Sequence, residues 1–471
     1  MVDAKIKRME KKNMKKSFSQ PESKNPEWIY TDIYGKQSIN RQKLYLHIKD
    51  KLPIKITDRG NYFIFSGKAY RPISERELKA LIKEFLPVEY RNKKDWTAVF
   101  DELQTDFPNI EEDAFDADEK IICFNNGVLK LDTMEFTNHS DEYLVTRIIP
   151  CNYLKDKTLD DAPIFKSYLN KLVNEDKETI TFLMEYLGAV ISNVYGYRFK
   201  RLLILVGEGN TGKSQFRELL INLVGESNCT SIDLGKLQKQ FGTSQLYGKR
   251  FAGSGDMSNM DIEELNIVKE LTGGDEISAE FKGKDAFTFK YRGFLGFNAN
   301  DLPFFRGDRG THVYERFNIV RCNNVIPYNE RDPHLLDKML KEKDSIASTA
   351  IIFLKDAIDR GYKFTESETM KIERKQYEIH NNSLLCFVND CCILSNRKIT
   401  KRSDFNRVYK VWCKENSIKP ERDREIGTQL QEKYGISAKK TYGQYYYPLE
   451  INEDIYNEYI LDDDGHWKRN I

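Results

Sequence analysis

The eight residues GEGNTGKS, Gly207 to Ser214, carry the most specific chemistry in the chain. Glycines at Gly207, Gly209 and Gly212 let the backbone curl until its N–H groups and the start of the next helix converge on an anion, with Glu208, Asn210 and Thr211 filling the turn. The Lys213 ammonium can reach terminal phosphate oxygens, and the Ser214 hydroxyl can ligate Mg²⁺. Such a loop needs a strand before it and a helix after it. Leu202 to Val206 is a continuous apolar run, and Phe216, Leu219, Leu220 and Leu223 recur at helical spacing. The expected ligands are a nucleoside triphosphate, ATP, and Mg²⁺.

Kinases, GTPases, transporters and motors share this loop, so downstream residues must narrow the chemistry. Asp256 ends the strand pattern of YGKRFAGSGD, where a carboxylate can hold the metal's waters. Asn300 follows the strand Phe294 to Asn298, placed either to orient an attacking water or to cap the NDLP turn. Arg316 opens another strand in THVYERFNIVRC. It can neutralise γ-phosphate charge in a neighbouring subunit or serve as a structural ion-pair partner, with Arg309 as the rival. Between them, Glu263 to Leu271 reads as a helix, TGGD as a turn, and EISAEFKGKDAFTF as a hairpin. Lys282 and Lys284 lie at its tip, to grip a phosphate backbone or simply to be solvated.

The elements that must hold these groups follow from the hydrophobic pattern. Short apolar strands alternate with helices from Arg201 to about Ile326, which predicts an α/β core built on a parallel sheet. Ahead of it, Ile164 to Val173 and Glu178 to Ile191 read as packing helices, the second with Ile180, Leu183, Met184, Leu187 and Val190 on one face. Hairpins are expected at Ser66-Gly67 and Asn126-Gly127, and a helix over Glu75 to Phe85. The acidic run Asp113 to Glu119 has no flanking strands to fix metal-binding carboxylates, so a solvated loop is expected and no primase centre is visible. The predicted plan is a basic tail (1–27), a small α+β domain (28–120), a helical and hairpin segment (121–195), the ATPase core (196–375) and a C-terminal unit (376–471).

Composition sets outer limits. A chain of 471 residues has room for about three domains. With 40% hydrophobic and 31% charged residues it is globular, and its apolar runs are too short to span a bilayer. The lysine-rich start lacks the apolar centre of a signal peptide, so a cytoplasmic protein without membrane partners is expected. The eight cysteines contain no CxxC and read as reduced thiols. A net charge of +1 gives no global attraction to DNA. It hides local surpluses: between Arg397 and Lys440 there are thirteen Lys/Arg against six Asp/Glu.

From about Phe124 to Pro327 the chain resembles the superfamily 3 helicases of phages, plasmids and mobile islands, the poxvirus-type primase-helicases. The matching runs are FNNGVLKLD, GEGNTGKS, YGKRFAGSGD, VKELTGGDEISAEFKGK, FNANDLP and YERFNIV, in that order. The resemblance implies an AAA+-like core that forms a hexameric ring, hydrolyses ATP between subunits and moves hairpins along one DNA strand. It makes Asp256 the Walker B acid, Asn300 the motif C sensor and Arg316 the arginine finger. Many relatives carry paired acids or an apolar strand at Walker B, whereas Gly253-Ser254-Gly255 precedes a single Asp256 here, which leaves the catalytic base unassigned.

The C-terminal unit resembles the winged-helix modules of related replication proteins, with a helix Ser403 to Asn416 and a second, Arg424 to Tyr434, offering Arg424, Gln429, Gln431 and Lys433 to a groove. Lys439, Lys440 and the strand Tyr445 to Tyr447 would form its wing; a subunit-docking domain is the alternative. The expected function is an ATP-dependent replicative DNA helicase and origin-binding initiator of a mobile element in a bacterial host cell. The alternatives are an ATPase that loads or remodels another replication protein, and an ATP-switched DNA-binding initiator.

Overall fold

The computed structural model describes residues 26–106, 109–257, 265–283, 285–303, 311–394, 398–416 and 418–455. The first unit follows from alternating apolar residues and capped helices. β1 (Ile29–Thr31) and β2 (Gln37–Ile39) pair ahead of α1 (Arg41–Lys51), whose N-cap Asn40 accepts the Lys43 N–H. β3 (Ile54–Thr57), β4 (Tyr62–Phe65) and β5 (Tyr70–Ile73) precede α2 (Glu75–Phe85), α3 (Lys93–Asp106) and β6 (Asn109–Ile110). The sheet order is β5-β4-β3-β6, and Leu78, Ile82, Phe100 and Leu103 of the helices bury against its Ile54, Ile56 and Ile64. The expected hairpin and helix are both present.

β7 (Ile121–Phe124), β8 (Gly127–Lys130) and β9 (Glu135–Thr137) form an antiparallel meander, followed by α4 (Pro163–Leu172), α5 (Lys177–Ile191) and the single turn α6 (Gly196–Phe199). Then come β10 (Leu202–Val206), α7 (Lys213–Val224), β11 (Cys229–Ser231), α8 (Leu234–Leu237), β12 (Phe251–Gly253), α9 (Asn266–Gly273), β13 (Glu276–Ala279), β14 (Phe287–Lys290), β15 (Phe294–Ala299), α10 (Thr311–Tyr314) and β16 (Phe317–Arg321). Five of these strands form one parallel sheet in the order β11-β12-β15-β10-β16, while β13 and β14 pair separately as an antiparallel hairpin. α11 (Leu335–Lys341), α12 (Lys343–Asp359) and α13 (Glu368–Asn381) complete this body.

Side chains alternate across the sheet, so β10 feeds two cores. Leu203 and Leu205 pack with α4, α5, α7 and α12, and Leu202, Ile204 and Val206 pack with α9, the hairpin base and Tyr377. The segment 121–195 therefore shares one core with the sheet. The boundary expected at 375/376 falls inside α13, because Tyr377 belongs to the second core.

α5 packs through its expected stripe, and Phe182, Tyr186 and Ala189 are buried as well, because the helix lies between α12 and the sheet. A Cβ on its Gly188 would sit 2.1 Å from Ala350 O, and its Tyr186 hydroxyl donates to Leu295 O in β15 at 2.8 Å. Glu185, polar in sequence, is also fully buried and accepts from Thr365 N and Oγ1, each at 2.6 Å. The acidic run is not simply solvated. Asp116 accepts the Thr146 N–H at 2.9 Å, and Glu119 accepts from Tyr195 N at 2.8 Å and Arg198 Nε at 2.9 Å. The partners are distant in sequence, so a local reading could not see them.

The C-terminal unit contains α14 (Ser383–Cys391), β17 (Cys392–Ile393), β18 (Thr400–Lys401), α15 (Arg402–Glu415), α16 (Asp423–Tyr434), β19 (Lys439–Thr441), β20 (Gln444–Tyr447) and β21 (Glu450–Ile451). Three helices pack on an antiparallel sheet ordered β18-β20-β19, around Phe387, Phe405, Tyr409, Leu430 and Tyr447. Among the described residues, no helix is long and apolar enough to cross a membrane.

Candidate functional site

The site gathers at the edge of the parallel sheet where its strands end. Val206 pairs with Ala299 on one side and Arg321 on the other, so the loop that begins at Gly207 emerges between the ends of β15 and β16. Gly207 N donates to Ala299 O at 3.2 Å and Cys322 N to Val206 O at 2.7 Å. A side chain at Gly207 is impossible: its φ is 152° and a Cβ would lie 2.1 Å from Cys322 O. Farther round, Ile326 N donates to Asn210 O at 3.0 Å, and the buried Tyr168 hydroxyl of α4 donates to Gly212 O at 2.9 Å. Among the described residues, the N–H groups of Gly209, Asn210, Thr211 and Gly212 donate to no backbone carbonyl. The loop thus presents unspent donors above the first turn of α7, where the helix dipole adds positive potential.

Lys213 is 7% exposed, and its Nζ turns back into the loop, donating to Glu208 O at 2.7 Å and to Thr211 Oγ1 at 3.3 Å. Burial lowers its pKa, opposed by Cys322 and by the carboxylate of Asp256. That opposition places Asp256 within electrostatic reach of the ammonium. Ser214 and Asn300 are exposed.

Asp256 is held by its neighbours' backbones. Asn298 N donates to Ser254 O at 3.0 Å and Asn298 O accepts Met257 N at 2.9 Å, clamping both ends of the short loop that carries Asp256 against β15. The same strand delivers Asn300 one residue past its end. Arg217, one turn along α7 from Lys213, reaches over the loop to Gly253 O at 3.4 Å and Ser231 Oγ at 3.5 Å. Gly207 to Ser214, Asp256 and Asn300 therefore lie at the same edge of the sheet. Sequence reasoning missed Tyr168, Asn298 and Arg217. Only Arg217 left a signal, its i+4 spacing from Lys213; the other two act through tertiary contacts.

The remaining expected residues lie elsewhere. Arg316 is at the opposite, amino-terminal edge of β16. It is half-buried, and its Nη1 donates to Thr272 Oγ1 at 2.6 Å and Lys269 O at 3.1 Å in its own chain. Lys282 is exposed at the tip of the β13–β14 hairpin, beside the stacked rings of Phe281 and Phe287 at 5.3 Å. Lys284 and the rival Arg309 lie outside the described residues. Lys439 and Lys440 are exposed on β19. Arg424 and Gln431 stay near the surface, yet Lys433 pairs with the buried Glu378 of α13 and Gln429 accepts from Asn382 Nδ2 at 2.9 Å. Half of the face expected to read a groove is thus spent on α13 and on Asn382 just after it.

Among the described residues no cluster of three or more His, Cys, Asp or Glu could hold a metal by itself. A divalent ion at this edge would need Asp256, Ser214 and oxygens of a bound phosphate together, which is how Mg²⁺ is commonly held.

Residues 25–174 match the family model described as D5 N terminal like, and residues 205–316 match a family of unknown function (DUF5906). The chain is similar to a protein of Invertebrate iridescent virus 6 named "Putative helicase 184R", 27% identical over 274 residues. The chain is thus similar, over part of its length, to the D5 N terminal like family and to a viral protein named as a helicase. That match covers 55% of the chain, and a second, to "Putative helicase 121R" of Invertebrate iridescent virus 3, is 24% identical and covers 51%. The chain spans about a quarter of the length of each of these relatives, 26%. A solved structure titled "The A form apo structure of NrS-1 C terminal region-CTR" is 16% identical with a TM-score of 0.48, covering 87% of this chain and 98% of that one.

Proposed function

We propose that the chain is an ATP-driven DNA helicase of replication, with an AAA+-like core that works as a hexameric ring on one DNA strand. The observation that carries this reading is the convergence of Lys213, Asp256 and Asn300 on one edge of a sheet ordered β11-β12-β15-β10-β16. In this reading the loop amides and Lys213 bind the phosphates, Ser214 and Asp256 hold Mg²⁺, and Asn300 orients the attacking water. Arg316, distant from its own loop, supplies charge to the next subunit's nucleotide. Magnesium, when bound, neutralises charge on the transferred phosphate; the protein's part is to position and shield it.

The order of helices and strands in the C-terminal unit supports a winged-helix reading and an origin-binding role, as in initiators of phages, plasmids or islands. Because Gln429 and Lys433 are engaged by Asn382 and Glu378, DNA contact in this unit falls to Arg424 and Gln431 and to the wing, Lys439 and Lys440.

Purified protein should hydrolyse ATP, faster when single-stranded DNA is added, and Lys213→Ala should abolish the activity. Hydrolysis indifferent to Lys213 would refute the site; hydrolysis indifferent to DNA would favour an ATPase that remodels another replication protein.

A further inference from the structure

Arg316 joins three elements. Its carbonyl accepts Leu202 N at 2.8 Å, tying it to the first residue of the strand that leads into the phosphate loop. Both Nη1 protons point inward, to Lys269 O and Thr272 Oγ1 near the end of α9. The Thr272 hydroxyl has a single proton and gives it to Val268 O at 2.6 Å, so toward Arg316 it acts as an acceptor and the direction of that bond is fixed. Thr272 is 4% exposed, which keeps water from replacing it. The carbonyl end of a helix also favours a cation.

α9 stops at this contact and feeds straight into the cationic hairpin. Gly274 takes φ 81°, and a Cβ there would press into the Tyr197 ring at 2.7 Å, so the turn into β13 has one available shape. The guanidinium, the end of α9 and the base of the hairpin are thus one packed unit. Arg316 Nε is buried without a partner, a donor that these contacts leave over.

We propose that Thr272 is a positioning residue: it holds the Arg316 guanidinium in one plane against the end of α9, so that the charge offered to a neighbouring subunit's nucleotide and the DNA hairpin move together. This rests on the reading of Arg316 as an interface residue. Loss of the hydroxyl lets the guanidinium swing, lowering turnover without touching the phosphate loop.

The test is hydrolysis in mixed assemblies of the full chain. Lys213→Ala subunits cannot hydrolyse but still offer Arg316, so mixing them with Arg316→Ala subunits should restore ATP turnover. A Lys213→Ala/Thr272→Val subunit should restore about tenfold to a hundredfold less, and Lys213→Ala/Thr272→Ser should recover most of the difference. Thr272→Val alone should lower kcat with KM for ATP and the melting temperature unchanged, which separates misplacement from misfolding. Equal restoration with and without Thr272→Val overturns the proposal. If Lys213→Ala and Arg316→Ala never complement each other, the interface reading fails and the proposal falls with it.

Discussion

The phosphate-loop edge and the C-terminal unit both rest on basic side chains at helices, yet they use them in opposite ways. At the loop, Lys213 is buried and bonded only to carbonyl and hydroxyl oxygens of its own loop, contacts that a phosphate can displace. In the C-terminal unit, Lys433 is nearly as enclosed but meets the carboxylate of Glu378, a partner of full opposite charge. A cation set against weak acceptors is poised for a ligand, and one set against a buried carboxylate is a fastener. Residue type alone does not separate the two cases. The partner does.

The largest expected effect is at the loop: Lys213→Ala should leave no measurable ATP turnover, while the protein stays folded, because the hydrogen bonds lost are to carbonyl and hydroxyl oxygens of the loop itself. Arg316→Ala should reduce turnover by about three to five orders of magnitude if the guanidinium acts across an interface. A loss of only a few-fold in a steady-state assay would make it a strut for α9 and nothing more.

The fastener makes the opposite prediction. Lys433→Met should lower stability of the C-terminal unit by about 2 kcal/mol, seen by thermal melting, because the buried Glu378 carboxylate loses its close ammonium and Lys375 stands farther off at 3.7 Å, while ATP turnover is unaffected. The smallest effect belongs to the wing. Replacing Lys439 and Lys440 by Ala should change stability by less than about 0.5 kcal/mol. It should also flatten the salt dependence of duplex binding by about one slope unit per lost phosphate contact. An unchanged slope would remove the wing from the DNA surface and leave a subunit-docking role for this unit.

The same contrast explains what could be read from sequence. β10, spanning Leu202–Val206, and α2, spanning Glu75–Phe85, fall where the hydrophobic pattern places them, because local periodicity decides both. Asp256 and Asn300 were legible because strand ends in a parallel sheet share one edge. What escaped depends on partners far along the chain. Glu185 is buried because Arg360 and Thr365 meet it, Asp116 and Glu119 are fastened by residues from other elements, and Gln429 and Lys433 face inward because Asn382 and Glu378 wait there. Spacing places a charged residue on a helix face; it does not say what that face meets.

The central claim is that the convergence of Lys213, Asp256 and Asn300 powers movement on DNA. Displacement of a labelled strand from a forked duplex tests it most directly, comparing the intact chain with Lys213→Ala. Strand release that requires ATP, is lost without Mg²⁺ and is abolished in Lys213→Ala is the predicted result. ATP hydrolysis with no strand ever released would contradict it.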